Sequence, residues 1–251
     1  MHQRQKKILD MLQKGKLIIP EAAGILGVSQ MTLRRDLREL ENRKLLLQVK
    51  NGAVPHPALY EPEPAAEDEL MQCKFALANM LYDAVMPVTS LFISTGTTTL
   101  AFAKVIARRN SLPITVVTNS LPVASALFKT SCKVILLGGE LRTNSLDLIG
   151  PAAERNLLDY RVDYLVSGCD AALSEYGFYT SDVSLAQLER KSIQIAEKSA
   201  VITDSSKFSR GALTRFAALS DINLLVTDNK LAANDLKNLQ TANIEVLQCD
   251  C

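Results

Sequence analysis

The chain has 251 residues, 28 basic against 27 acidic side chains for a formal charge of +1, and 47% apolar residues, enough for one large domain or two smaller ones with proper cores. This composition excludes collagen-like, mucin-like and wholly disordered chains, and no apolar run approaches the ~18–20 residues of a membrane span. The basic stretch from Met1 to Lys7 has no apolar signal-peptide core behind it, and Cys73, Cys132, Cys169, Cys249 and Cys251 form no C-x-x-C pair, so the chain reads as cytosolic, with neither a disulfide framework nor a zinc site expected.

The near-neutral total hides a split. Residues 1–55 hold 11 Lys+Arg against 5 Asp+Glu, a net +6, which leaves −5 for the rest. A basic head on an acidic body points to an anionic partner, nucleic acid first; a solvated charged surface is the alternative. Within the head, Ile8, Leu9, Met11 and Leu12 form a helical stripe over residues 4–14, closed by Gly15. Pro20 suits the first position of a second helix, which carries Ala22, Ala23, Ile25 and Leu26 and stops at Gly27. Ser29 is an N-cap for a third helix over residues 30–43. There Leu33, Leu37 and Leu40 follow i, i+4, i+7 and face a core, with Gln30, Arg34, Arg38 and Glu41 on another face and Thr32 and Arg35 beside it. Leu45, Leu47 and Val49 then alternate as a strand into Asn51-Gly52, a strong hairpin signal.

Helix, tight turn, polar-faced helix and hairpin describe a winged helix-turn-helix. The third helix fits the major groove of operator DNA, where Gln and Arg make paired hydrogen bonds to purine edges. Ser29, Gln30, Thr32, Arg34, Arg35, Arg38, Lys50 and Asn51 are the candidate DNA-binding residues, the last two carried to the flanking backbone by the wing. A small helical packing domain with solvated arginines is the alternative. The run Val28-Ser29-Gln30-Met31-Thr32-Leu33-Arg34-Arg35-Asp36-Leu37, with Ala23 to Gly27 before it, resembles the DNA-binding signature of the DeoR family of bacterial sugar-metabolism regulators. The resemblance implies that this segment is the turn and recognition helix. The wing departs from the family's usual Arg-x-His-Gly-Gly-Ala, with Gln48, Lys50, Asn51, Gly52 and Ala53 in those places.

Pro55, Pro57, Pro62 and Pro64 put four of nine prolines into ten residues and predict a stiff, extended linker. Leu70, Cys73, Leu77, Met80 and Ala84 recur at helical spacing behind it. The expected division is a head over residues 1–55, a linker over 56–69 and a sensor domain over 70–251. In the last, apolar runs at 91–93, 114–117, 134–137, 164–166, 200–202, 224–226 and 244–247 are separated by helical stretches at 100–108, 122–129, 152–158 and 185–197. This alternation predicts an α/β fold around a mostly parallel sheet, with ligands outside the C-terminal strand ends.

The strand ends are rich in small and hydroxyl residues. Ser94, Thr95, Gly96, Thr97 and Thr98 lead into a helix and form the best phosphate cradle in the chain; a Thr-rich capping turn is the plain alternative. Asn119 and Ser120, Gly138 and Gly139, Asp170, and Lys207 follow other strands and complete the candidate effector-binding set. Such a set suits a phosphorylated polyol; an Asp204–Lys207 surface ion pair worth ~0–1 kcal/mol is the alternative for that corner. His2 and His56 are the only histidines, which excludes a His-based triad or metal site in the body, and no cofactor or metal is called for. Cys169 beside Asp170 lacks an activating base and reads as a buried thiol.

Gly96-Thr97-Thr98, Thr118-Asn119-Ser120, Gly138-Gly139, Asp170 and Asp204-Ser205-Ser206-Lys207-Phe208 continue the resemblance into the body, in order. It implies an effector domain similar in fold to ribose-phosphate isomerases and coenzyme A transferases, a phosphorylated sugar that relieves repression of a carbohydrate operon, and a homo-oligomer, dimer or tetramer. Ser94, Ala171, Gln187 and Glu189 depart from the family's usual Asp, Gly, Glu and Lys. The expected function is a DNA-binding transcriptional regulator, and no enzyme; the alternative is a sugar-phosphate isomerase with a DNA-binding head, with Asp170, Asp204 and Lys207 as acid-base groups.

Overall fold

A computed structural model describes residues 3–13, 17–42, 45–49, 51–55, 69–209 and 211–251. Gly15, Lys50 and the linker prolines Pro57, Pro62 and Pro64 lie outside these, as do both histidines. Two compact units divide at residue 66. The first comprises α1 (Gln3–Gln13), β1 (Leu17–Ile18), α2 (Ile19–Leu26), α3 (Gln30–Asn42), β2 (Leu46–Val49) and β3 (Gly52–Pro55). The helices bury Ile8, Leu12, Ala22, Ala23, Leu33, Leu37 and Leu40 in one core, sealed by Leu17, Leu46 and Ala53 of a three-stranded sheet ordered β1-β3-β2.

The hairpin forms one residue earlier than the sequence signal suggests. Val49 pairs with Gly52, with Asn51 at φ 63° just before it, and Gly52 already belongs to β3. A Cβ on Gly52 would stand 2.1 Å from the Leu17 carbonyl oxygen, so glycine is required by the close approach of β1 rather than by the turn. Pro55, expected in the linker, ends β3.

The second unit opens with α4 (Glu69–Val85). Its buried stripe is Cys73, Leu77, Ala78, Leu81 and Val85, while Leu70 and Ala84 of the predicted stripe are exposed. There follow β4 (Ser90–Ile93), α5 (Thr97–Arg109), β5 (Thr115–Thr118), α6 (Leu121–Leu127), β6 (Lys133–Leu136), β7 (Glu140–Arg142), β8 (Asp147–Ile149), α7 (Gly150–Leu157), β9 (Val162–Ser167), β10 (Ala171–Leu173), β11 (Gly177–Thr180), α8 (Val183–Ile195), β12 (Ala196–Ile202), β13 (Thr214–Ala217), β14 (Leu224–Asp228), α9 (Ala233–Thr241) and β15 (Glu245–Cys249). All seven predicted strand runs join one sheet, ordered β15-β14-β12-β9-β4-β5-β6, with every pairing parallel. Leu91 and Ile93 point into a core with α4, α5 and α6, and Phe92 between them points to the other face. Both faces are therefore covered, as continuous apolar strands require.

The sheet winds outward in both directions from β4 and β9, so their C-terminal loops diverge and leave a crevice at this switch point. Two accessory sheets, the ribbon β7-β8 and β10-β11-β13, were not anticipated, nor was α9. A further correction concerns the cysteines: Cys73 of α4 is disulfide-bonded to Cys251, because the edge strand β15 returns the end of the chain to that helix. Asp228 lies beside the two sulfurs, the one group of metal-ligand type among the described residues. Among the described residues no helix is long and apolar enough to cross a membrane.

Candidate functional site

In the first unit, α3 sorts its residues by face. Leu33, Leu37 and Leu40 are fully buried, whereas Gln30, Arg34, Arg35 and Arg38 are exposed. Ser29 is exposed, and its Oγ accepts from the Thr32 N–H at 3.1 Å and lies 2.9 Å from Thr32 Oγ1; the two hydroxyls thus start the helix. Met31 on the same helix is exposed, and an apolar side chain there suits a thymine methyl group. Two anchors escaped the sequence reading. Asp36, buried on α3, accepts from Arg4 Nε at 2.5 Å and Nη2 at 3.0 Å, which joins α1 to α3. Glu41, expected on the polar face, instead accepts from the Gln48 N–H and Nε2 at 2.7 Å each; these bonds hold its carboxyl below the usual range and tie α3 to β2. Asn51 is exposed at the hairpin tip.

In the second unit a cavity of about 440 Å³ occupies the switch point. The loop at residues 95–99 forms one wall, with Gly96 as the N-cap of α5 and therefore no capping side chain. The first amides of α5 are left to a ligand, and the helix dipole favours an anion there. Lys207, and Lys74 from α4, line the same cavity, and among the described residues neither forms an ion pair. Asp170 also lines it, but its Oδ2 accepts from Thr180 Oγ1 at 3.1 Å and the Ser181 N–H at 2.7 Å. Asp204 Oδ1 accepts from the Ser206 N–H at 3.1 Å, so the alternative Asp204–Lys207 ion pair does not form. Burial pushes the Cys169 thiol up to about 12, so it carries no reactive thiolate.

Of the predicted effector residues, Thr95, Gly96, Thr97, Thr98, Asp170 and Lys207 come together on this cavity. Ser94, Asn119, Ser120, Gly138 and Gly139 lie outside its wall, and all but Gly138 have a visible structural task. Asn119 Nδ2 donates to the Leu148 carbonyl and Ser120 caps α6. A Cβ on Gly139 would stand 2.6 Å from the Ile149 carbonyl oxygen, so this glycine lets the chain pass close to α7. Ser94, 1% exposed, donates its hydroxyl to Oε1 of Glu189 in the cavity floor.

Glu189 and Arg142 are lining residues that the sequence did not single out as ligands. Glu189 is 4% exposed, and its Oε2 accepts from Ser167 Oγ at 3.0 Å, while the Ser192 hydroxyl lies 3.4 Å from Oε2 and donates to the Glu189 main-chain carbonyl at 2.7 Å. Burial pushes its carboxyl up to about 7, against the pull of the three hydroxyls. Arg142 forks onto buried Asp147 at 2.9 Å and 2.5 Å and reaches Asp182 at 3.0 Å. Asp182 in turn accepts from the Leu185 N–H at the start of α8, which holds its carboxyl low. Arg142 sits in a three-residue strand with no periodicity to announce it; Glu189 was visible only as a departure from a family pattern.

The model for the DeoR-like helix-turn-helix domain matches residues 4–56, and that for the DeoR C terminal sensor domain matches residues 70–229. The chain is 32% identical over 224 residues to the HTH-type transcriptional regulator GlpR of Haloferax volcanii, covering 88% of this chain and 87% of that protein. It is 28% identical over 250 residues to the glycerol-3-phosphate regulon repressor of Escherichia coli K12, covering 98% of each. Among solved structures it is similar to ribose 5-phosphate isomerase A of Methanocaldococcus jannaschii, at 15% identity and a TM-score of 0.40 over 54% of this chain and 53% of that one.

Proposed function

Since this chain belongs to the DeoR family and is a DNA-binding transcriptional regulator, we propose that it represses a carbohydrate operon and leaves its operator when a phosphorylated sugar fills the cavity of the sensor domain. Gln30, Arg34 and Arg38 enter the major groove, Arg35 beside them and Ser29 and Thr32 at the start of α3 meet phosphates, and Lys50 and Asn51 meet the flanking backbone. The chain acts as a homo-oligomer, whose paired heads read two half-sites. The head, linker and sensor divide at residues 55 and 69. The repressor name of the Escherichia coli relative supports the direction of regulation.

One observation carries the effector reading: an uncapped helix N-terminus and two lysines without ion-pair partners among the described residues converge on one cavity. That combination suits a phosphate, and the hydroxyls of Thr95, Thr180, Ser181 and Ser206 around it suit a polyol. We read the cavity as a receptor rather than a catalyst, since Asp170 is tied to β11 and Cys169 stays protonated.

A thermal-shift screen of pentose and hexose phosphates against the intact chain, followed by DNA-release measurements on the hits, tests this. A stabilising sugar phosphate should release a duplex that the protein has itself selected from a random pool, and Lys207→Ala should weaken its binding. A screen without any stabilising sugar phosphate removes the effector reading, and turnover of a hit that disappears in Asp170→Asn replaces it with an enzyme.

A further inference from the structure

The cavity is lined by groups of both signs. Lys74, Lys207 and the start of α5 supply its anion-binding groups, and Asp170, Asp182 and Asp204 line it as well. On its floor stands the carboxyl of Glu189, 4% exposed. The groups that bind this carboxyl are all hydroxyls: Ser94 at the end of β4, Ser167 at the end of β9 and Ser192 on α8 itself. Among the described residues no cation forms an ion pair with it. The guanidinium in the same wall, Arg142, is consumed by Asp147 and Asp182, and Asp147 only adds negative potential at Glu189.

A buried carboxyl among hydroxyls, facing a cavity, is a receptor for positive charge brought by a ligand. Ser94 and Ser167 donate to one oxygen each, and the single proton of Ser192 lies nearer the Glu189 main-chain carbonyl, at 2.7 Å, than Oε2, at 3.4 Å, so the carboxyl keeps acceptor positions for a ligand. An ammonium there gains a charge-assisted hydrogen bond in a low-dielectric site, about twice as strong as the bond of a neutral hydroxyl. We infer that the cavity selects a phosphorylated sugar bearing a free primary amine, with Glu189 receiving the ammonium and the anion-binding groups receiving the phosphate. The inference rests on the phosphorylated-sugar reading above and narrows it to one chemical class. The raised titration of Glu189 fits this arrangement: the empty floor holds the proton, and a ligand cation takes over its role of neutralising the charge.

The test is calorimetric titration of the intact chain at pH 7 with three matched sets. These are the 6-phosphates of glucosamine and galactosamine, their N-acetylated forms, and glucose and galactose 6-phosphates. At least one amine should bind about tenfold or more tightly than both of its counterparts, and Glu189→Gln should bring that ratio close to one. A hydroxyl or N-acetyl sugar that binds as tightly as the amine overturns the inference and leaves the sugar-phosphate reading standing. An amine preference that survives Glu189→Gln also overturns it. Absence of binding by every sugar phosphate in the panel overturns the underlying reading as well. The wild-type comparison needs no variant, so a Glu189→Gln chain that fails to fold does not suspend the test.

Discussion

Glu189 shows how a single side chain can be costly to the fold and useful to the site. Its carboxyl titrates at about 7 in place of the ordinary 4.5, chiefly because burial disfavours the charge. The sign of the linkage follows. Folding favours the protonated form, so stability is fully present below about pH 4.5 and is lost as the pH rises through about 7. The difference between the two values corresponds to about 3 kcal/mol. Glu189→Gln, which keeps an acceptor for the serines without the charge, should therefore melt higher than the parent at pH 8, by a margin that nearly vanishes at pH 4.5. Melting curves of both chains across that range check it; a margin independent of pH would mean that Glu189 is already compensated in the empty cavity.

Among the secondary-structure elements, what could be read from the residues follows from how much apolar pattern each one carries. The inner strands of the main sheet are buried on both faces and the edge strands β6 and β15 are half-buried, and each announces itself as a short apolar run. β7, β8, β10 and β11 are three or four residues long and flank the cavity, so their sequence answers to local pairing and ligand rather than to a core. Arg142, Thr180 and the turn that holds Asp182 lie on these short pieces, and for that reason this part of the cavity wall was not legible from the residues. Lys74 went unread for the opposite reason, since on α4 the apolar stripe drew attention to the neighbouring Cys73. In the head, α3 was legible because capping and burial agree: Ser29 starts it and Leu33, Leu37 and Leu40 fix its rotation. Ser29→Ala should cost about 1 kcal/mol of helix stability through the lost cap, and it should weaken DNA binding because the first turn of α3 carries Gln30. Unfolding curves and DNA affinity measured on the same preparation check this; a variant with unchanged stability would remove Ser29 from the cap.

For the molecule as a whole, the divided charge is the property from which regulation must be built. A head of +6 is drawn to any duplex, and an acidic remainder of −5 opposes indiscriminate adhesion to the same polymer. A ligand in the sensor can change DNA occupancy only as far as it binds the released state more tightly than the bound one. The DNA term is measurable apart from the sugar. Each phosphate neutralised by Arg or Lys contributes about 0.9 to the slope of log affinity against log salt. Arg34, Arg35 and Arg38 lie exposed on one helix, so the slope of the intact chain should be steeply negative, and Arg35→Ala should make it shallower by about one. A base-reading arginine would behave differently, leaving the slope nearly unchanged while relaxing sequence preference at one position. Salt titrations of the parent and of the three single alanine variants, on one selected duplex and one scrambled duplex, therefore separate the arginines that hold the backbone from those that read bases. A slope untouched by all three substitutions, with affinity also unchanged, would mean that DNA is bound by another surface of the chain.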